Sequence, residues 1–269
     1  MKTILITLLS ILTATAAYTQ DDAAYKTLQD VSYRTTGDAY ALERGKLDVY
    51  YPAHETGLPT IVWFHGGGLT GGSKSIPEQL KRSGFVVVAA NYRLMPRCSV
   101  ADCIDDAAAA VAWVFREIEK YGGNTKQIFV AGHSAGGYLA TLIGLDRKWL
   151  QAYGIEADSI AALIPFSGQA VSHYTYRKTL GIKETQPTID EYAPLYHVRP
   201  DAPPLIIVSG DREMELLGRY EENAYFWRMM KVAGHKQTWL YELDGYNHGD
   251  MAAPAFHILK RHVKDILSD

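Results

Sequence analysis

The chain has 269 residues, 47% hydrophobic and 21% charged, the composition of a globular protein long enough for one sizeable core. Its formal net charge is -3 and it carries no basic block, so neither nucleic acid nor an anionic membrane surface is an expected partner. No His or further Cys stands at ligand spacing from its two cysteines, and no phosphate- or dinucleotide-binding motif is present, so no metal and no cofactor is expected.

The first twenty residues, "MKTILITLLSILTATAAYTQ", form a segment of their own. Lys2 supplies a positive start, residues 4–12 an apolar stretch, and "ATA" at 14–16 a small-residue cleavage site. The apolar stretch is too short to span a bilayer, and no cysteine follows it to take a lipid, so no stable membrane anchor is expected. Residues 1–16 therefore read as a signal peptide for export to the periplasm or beyond, and 17–269 as the mature single domain.

Next comes "KLDVYYP" (46–52), whose alternation suits a partly exposed, antiparallel strand. It is followed by "TIVWFH" (60–65), "FVVVAA" (85–90), "IFVAG" (128–132), "IAALIPF" (160–166) and "PLIIVSG" (204–210), then "TWLYEL" (238–243). The first five of these are near-continuous apolar runs, as expected of strands buried on both faces of a parallel sheet. Helical patterns separate them: a Ser99-capped run stopping at Gly122, a second ending at Gly234, and a third closing the chain. Strand–helix alternation predicts an α/β fold with a mostly parallel, doubly wound sheet flanked by helices. Residues 168–203 break the alternation with a long, tyrosine-bearing segment, read as a short partial cap over the site.

Cys98 and Cys103 lie five apart in "PRCSVADC", where either a disulfide or two separate thiols is compatible with the sequence. In the following "NYRL" to helix region, Arg93 is expected to pair with Asp105 or Asp106 as a structural corner.

The chemistry concentrates where strands end. "AGHSAGGYLA" (131–140) places Ser134 between a buried strand and a helix, and Gly132-His133-Ser134-Ala135-Gly136 fits the strand–turn–helix nucleophile elbow. The flanking glycines let the chain turn sharply and leave the hydroxyl exposed above a helix N-terminus. One strand earlier, His65-Gly66-Gly67-Gly68 is the glycine loop that presents amide donors to a developing oxyanion. A serine hydroxyl needs a base, and that base an orienting acid. Of nine histidines, His248 alone sits in a glycine-flanked loop between the last strand and last helix, where the order Ser…acid…His places the base.

"HGGG", "NYRL", "GHSAGG", "SGDRE" (209–213) and "GYNHGDM" (245–251) come in the order seen in α/β-hydrolase-fold serine esterases. Over residues 45–265 the chain resembles the hormone-sensitive-lipase-like and bacterial carboxylesterase group, which includes small exported acetyl and feruloyl esterases. The resemblance implies oxyanion donors from the amides of Gly67, Gly68 and Ala135. It also puts the acid two or three residues beyond the strand-end glycine, which selects Glu213; Asp211, expected to cap the turn, and Glu215, expected to begin the next helix, are the other candidates. The expected activity is hydrolysis of short-acyl or hydroxycinnamoyl esters, carbohydrate esters among them, through a covalent acyl-enzyme. An amidase or peptidase on the same fold, or a binding protein on a hydrolase scaffold, are the competing readings.

Overall fold

A computed structural model describes residues 25–268; the expected signal peptide, 1–16, lies outside them. Eight strands form one sheet: β1 (Tyr25–Ser32), β2 (Lys46–Pro52), β3 (Leu58–Phe64), β4 (Val86–Ala90), β5 (Gly123–His133), β6 (Ala162–Phe166), β7 (Leu205–Gly210) and β8 (Thr238–Leu243). Their order across the sheet is β1-β2-β4-β3-β5-β6-β7-β8. The first two are antiparallel to their neighbours, while β4, β3, β5, β6, β7 and β8 run parallel. Seven strands match the apolar runs of the sequence. β1 does not: "YKTLQDVS" is largely exposed, and only its pairing to β2 makes it a strand. An edge strand needs few apolar residues, so its sequence carries little signal.

Both faces of the sheet are covered, which is why the central strands do not alternate apolar with polar. Besides the short α1 (Ala39–Arg44) and α4 (Lys148–Gln151), three helices cover one face, where Val62, Phe64, Val88 and Val130 pack with α2 (Val100–Glu117), α3 (Ala135–Leu145) and α6 (Arg219–Val232). On the other, Ile61, Trp63, Phe129, Ile164 and Val208 pack against Met251 and, from α7 (Ala252–Ser268), Phe256, Leu259 and Val263. Full burial of each such side chain contributes about 1.5–3 kcal/mol. α2 is closed at its start by a reciprocal capping box between Ser99 and Asp102.

Arg93 forms a two-pronged pair with buried Asp106, at 2.8 and 3.0 Å. Together with Arg34 it ties α2 to the chain before and after β2 and β4. Cys98 and Cys103 are thiols with their sulfurs 3.6 Å apart. Residues 168–203 carry two short helical pieces, α5 (Tyr174–Thr179) and the turn Pro194–His197, among irregular chain. Among the described residues no helix is long and apolar enough to cross a membrane.

Candidate active site

In a parallel sheet the C-terminal strand ends share one edge, and everything that follows them converges there. Ser134 follows β5, Ser167 follows β6, Glu215 lies beyond β7, and His248 beyond β8. The parallel pairing continues into the turns: Ser134 N–H donates to Phe166 O at 2.8 Å, and Ser167 N–H to Val208 O at 2.7 Å.

Ser134 has φ 54° and ψ −116°, a conformation that costs a non-glycine residue energy and persists only under tight surrounding packing. The packing is visible at Gly136, where a β-carbon would stand 2.7 Å from His65 O and closer still to Phe64 O. A β-carbon on Gly132 would fall 2.8 Å from the same Phe64 oxygen. Backbone atoms cannot swing aside, so the elbow requires both glycines. Ser134 as a whole is 9% exposed.

His248 Nε2 lies 2.9 Å from Ser134 Oγ. On its other side, Nδ1 is 2.8 Å from Glu215 Oε2. The acid facing the histidine is therefore Glu215, and the expectation of Glu213 is corrected: Glu213 is exposed, and its N–H donates to Asp211 Oδ1 at 2.9 Å. The cause is a single closed turn after Gly210. Glu215 N–H donates to Asp211 O at 2.9 Å, which folds residue 215 back over the strand end and leaves 213 on the outside. The following helix begins only at Arg219, four residues later than Glu215. Asp211 holds the turn, accepting also from Gly245 N–H at 2.8 Å and so joining it to the histidine loop.

Glu215 has its side chain 1% exposed. Four donors serve its carboxylate: Ser167 Oγ–H at 2.6 Å and Gly210 N–H at 2.9 Å on Oε1, then His248 Nδ1–H and Leu216 N–H, at 3.1 Å, on Oε2. Burial by itself raises its pKa, but the bonds from His248 and Ser167 outweigh that and hold it at about 2, against an ordinary 4.5. The unfolded chain thus binds a proton that the native carboxylate refuses. The contribution to stability is complete above pH 4.5 and is lost as pH falls towards 2. Thermal denaturation of the parent and Glu215→Gln should show a gap in Tm at neutral pH that narrows steadily through that window; a gap independent of pH would contradict it.

The glycine loop after β3 is held from several sides. His65 Nδ1–H donates to Gly66 O at 2.6 Å, and its ring stacks on Tyr92 at 4.4 Å. Burial lowers the His65 pKa to about 4, so this ring is neutral across the working range. Gly67 and Gly68 both have positive φ, 116° and 62°. The 168–203 segment is joined to the loop here: Thr175 Oγ–H donates to Gly68 O at 2.6 Å, and the Tyr174 hydroxyl occupies the space a β-carbon on Gly68 would take. Ala135 begins α3, so its N–H has no carbonyl one turn earlier to meet.

His133 does more than flank the nucleophile. Its Nε2–H donates to the carbonyl of His248 at 2.7 Å, across 115 residues of chain, and burial keeps it neutral with a pKa of about 4. Nothing local in the sequence marks this contact. A cavity of about 620 Å³ lies between residues 169–195 and the segment leading into α6, with Gln169, Arg177, Ile189, Leu217 and Tyr225 in its wall. Neither Ser134 nor His248 lines it.

The arrangement can transfer an acyl group: a hydroxyl, a base oriented by a buried carboxylate, and amides beside the hydroxyl. The chain has known relatives. It is 27% identical over 236 residues to a probable isoprenylcysteine alpha-carbonyl methylesterase of Oryza sativa subsp. japonica, covering 77% of this chain and 55% of that one. It is 31% identical over 207 residues to the probable carboxylic ester hydrolase LipM of Mycobacterium tuberculosis, covering 67% and 47%. The chain thus spans about half the length of these relatives. Among solved structures, a truncated carbohydrate esterase from gut microbiota superposes with a TM-score of 0.77 at 18% identity, covering 93% of this chain and 99% of that one. Esterase 2 of Thermogutta terrifontis gives 0.70 at 24% identity, covering 88% and 91%; both likenesses show the α/β-hydrolase fold. Residues 47–216 match the BD-FAE family model, a span that runs from β2 through Glu215, and the chain belongs to that α/β-hydrolase esterase family.

Proposed function

We propose that the chain is an exported serine carboxylic-ester hydrolase acting on short-acyl or hydroxycinnamoyl esters, with carbohydrate esters among its substrates. The observation that carries the catalytic part is the relay from Ser134 Oγ through His248 to Glu215, at 2.9 and 2.8 Å, on the strand-end turn. His248 Nε2 takes the Ser134 proton as Oγ attacks the ester carbonyl. The amides of Gly67, Gly68 and Ala135 hold the oxyanion, and the imidazolium protonates the departing alcohol. Water, deprotonated by the same Nε2, then attacks the acyl-serine; collapse of the second intermediate returns the proton to Ser134 and releases the acid.

For the substrate class, support comes from the tyrosine-bearing segment 168–203, which is clasped to Gly68 through Thr175. The carbohydrate esterase with the similar fold is consistent with it. Lys2, the apolar residues 4–12 and the small residues 14–16 support export.

A panel of acetyl, propionyl, feruloyl and long-chain esters, together with acetylated glycans, tests the reading on the mature chain. Short or aryl acyl groups should give the highest kcat/KM, with no jump in rate at an emulsion surface; faster turnover of long-chain triglycerides would sink the specificity. Protein recovered outside the cytoplasm should begin at Ala17; retention of the apolar segment inside the cell would refute export.

A further inference from the structure

We infer that Ser167 is a positioning residue of the relay, a hydroxyl that sets the His248 tautomer together with Glu215. The inference rests on the proposed hydrolytic role. Ser167 is fully buried at the end of β6 with φ 48°, a left-handed backbone that a serine adopts at a cost. Its main chain is pinned at both ends, N–H to Val208 O at 2.7 Å and carbonyl to the Arg219 guanidinium. The pinning leaves its Oγ between the acid and the base, 2.6 Å from Glu215 Oε1 and 3.0 Å from His248 Nδ1.

Counting donors shows what the hydroxyl does there. An ionised carboxylate only accepts, so the single Ser167 proton goes to Oε1. Its oxygen can then only accept from Nδ1, as can Glu215 Oε2 from the other side. Two acceptors on Nδ1 require the proton to sit there, which leaves Nε2 bare and facing Ser134 Oγ at 2.9 Å. Ser167 thus fixes the tautomer and also braces Oε1, which has Gly210 N–H as its second donor at 2.9 Å. The charged and titratable groups around it are Glu215 and Arg219 from the segment after β7, His133 from the elbow, and His248 from the loop after β8.

Ser167→Ala removes the hydroxyl; Ser167→Gly removes it while suiting the left-handed backbone, and keeps the test open should the alanine variant not fold. On one aryl ester, kcat should fall about ten- to a hundredfold with KM within about twofold, the size of a lost charge-assisted hydrogen bond. The hydroxyl touches both the carboxylate and the imidazole, so the pH profile of kcat/KM should change with its removal. In Glu215→Gln the same serine substitution should cost almost nothing further, since Ser167 acts through that pair; a purely structural role would subtract equally in both backgrounds. Independently of turnover, the downfield proton resonance of Nδ1–H, identified by its loss in His248→Ala, should shift in Ser167→Ala. An unchanged resonance and profile with full kcat overturns the inference while leaving the serine mechanism intact. Ser134→Ala with parental activity overturns the mechanism itself, and the resonance then decides the hydrogen-bond assignment alone.

Discussion

Ser134→Ala should fold like the parent and lose about four or more orders of magnitude in kcat, because nucleophile and base act as one unit. The substitution removes one hydroxyl oxygen from a residue whose backbone is held by other groups, its N–H by Phe166 O and its carbonyl by Tyr138 N–H, so stability should change little. His248→Ala should cost a similar factor. The double variant should be hardly worse than either, since the second loss removes a group already without a partner. Simple aryl-ester turnover, measured with urea denaturation on the same preparations, checks both halves. Near-parental turnover by Ser134→Ala would mean that another group attacks.

Glu215→Gln should be the second crippled variant, on the order of 10⁴-fold in kcat, the loss found when a triad acid becomes an amide. The structure supplies the reason in detail. Oε1 receives Gly210 N–H and the Ser167 hydroxyl, so the glutamine places its oxygen there and its NH2 at the Oε2 position. That NH2 then faces His248 Nδ1 and can only donate, so the ring must carry its proton on Nε2, where a base is needed. It also opposes the Leu216 N–H, which loses its acceptor. Glu213→Gln should leave kcat within about twofold, as expected for an exposed side chain away from the relay. Asp211→Asn should fall between, because Asp211 ties the acid turn to the Gly245 amide but touches neither His248 nor Ser134. Measuring the three on one ester gives the order directly; a loss confined to Glu213→Gln would mean that the turn after Gly210 opens during catalysis.

The nucleophile and the base of the relay were legible for a local reason. Ser134 and His248 each sit in a short contiguous pattern whose glycines dictate backbone shape, so their placement needs only neighbours in sequence. The oxyanion loop is of the same kind: Gly67 and Gly68 do take the positive φ angles that such a loop demands. Seven of eight strands were legible because burial on both faces leaves an unbroken apolar run.

Glu213, Asp211 and Glu215 are three carboxylates within five residues, and no local pattern ranks them by direction. The resemblance placed the acid two or three residues beyond the strand-end glycine, at Glu213. The chain instead closes one turn at Asp211–Glu215, so the side chain that returns to the strand end is two residues later. Ser167 and His133 were invisible for the same cause, since their partners lie 81 and 115 residues away in sequence. β1 was missed because an edge strand is specified by its neighbour's unpaired amides more than by its own residues.

By itself, then, the sequence determined the α/β sheet, the elbow serine, the glycine loop and the late histidine, because each depends on hydrophobic runs or glycine geometry that short segments carry intact. Which carboxylate meets the histidine, which hydroxyl braces that carboxylate, and how the 168–203 segment is clasped to Gly68 through Thr175 were decided only by the tertiary structure. Those contacts join strand ends that the parallel sheet brings to one edge, and their geometry exists only after the sheet has formed.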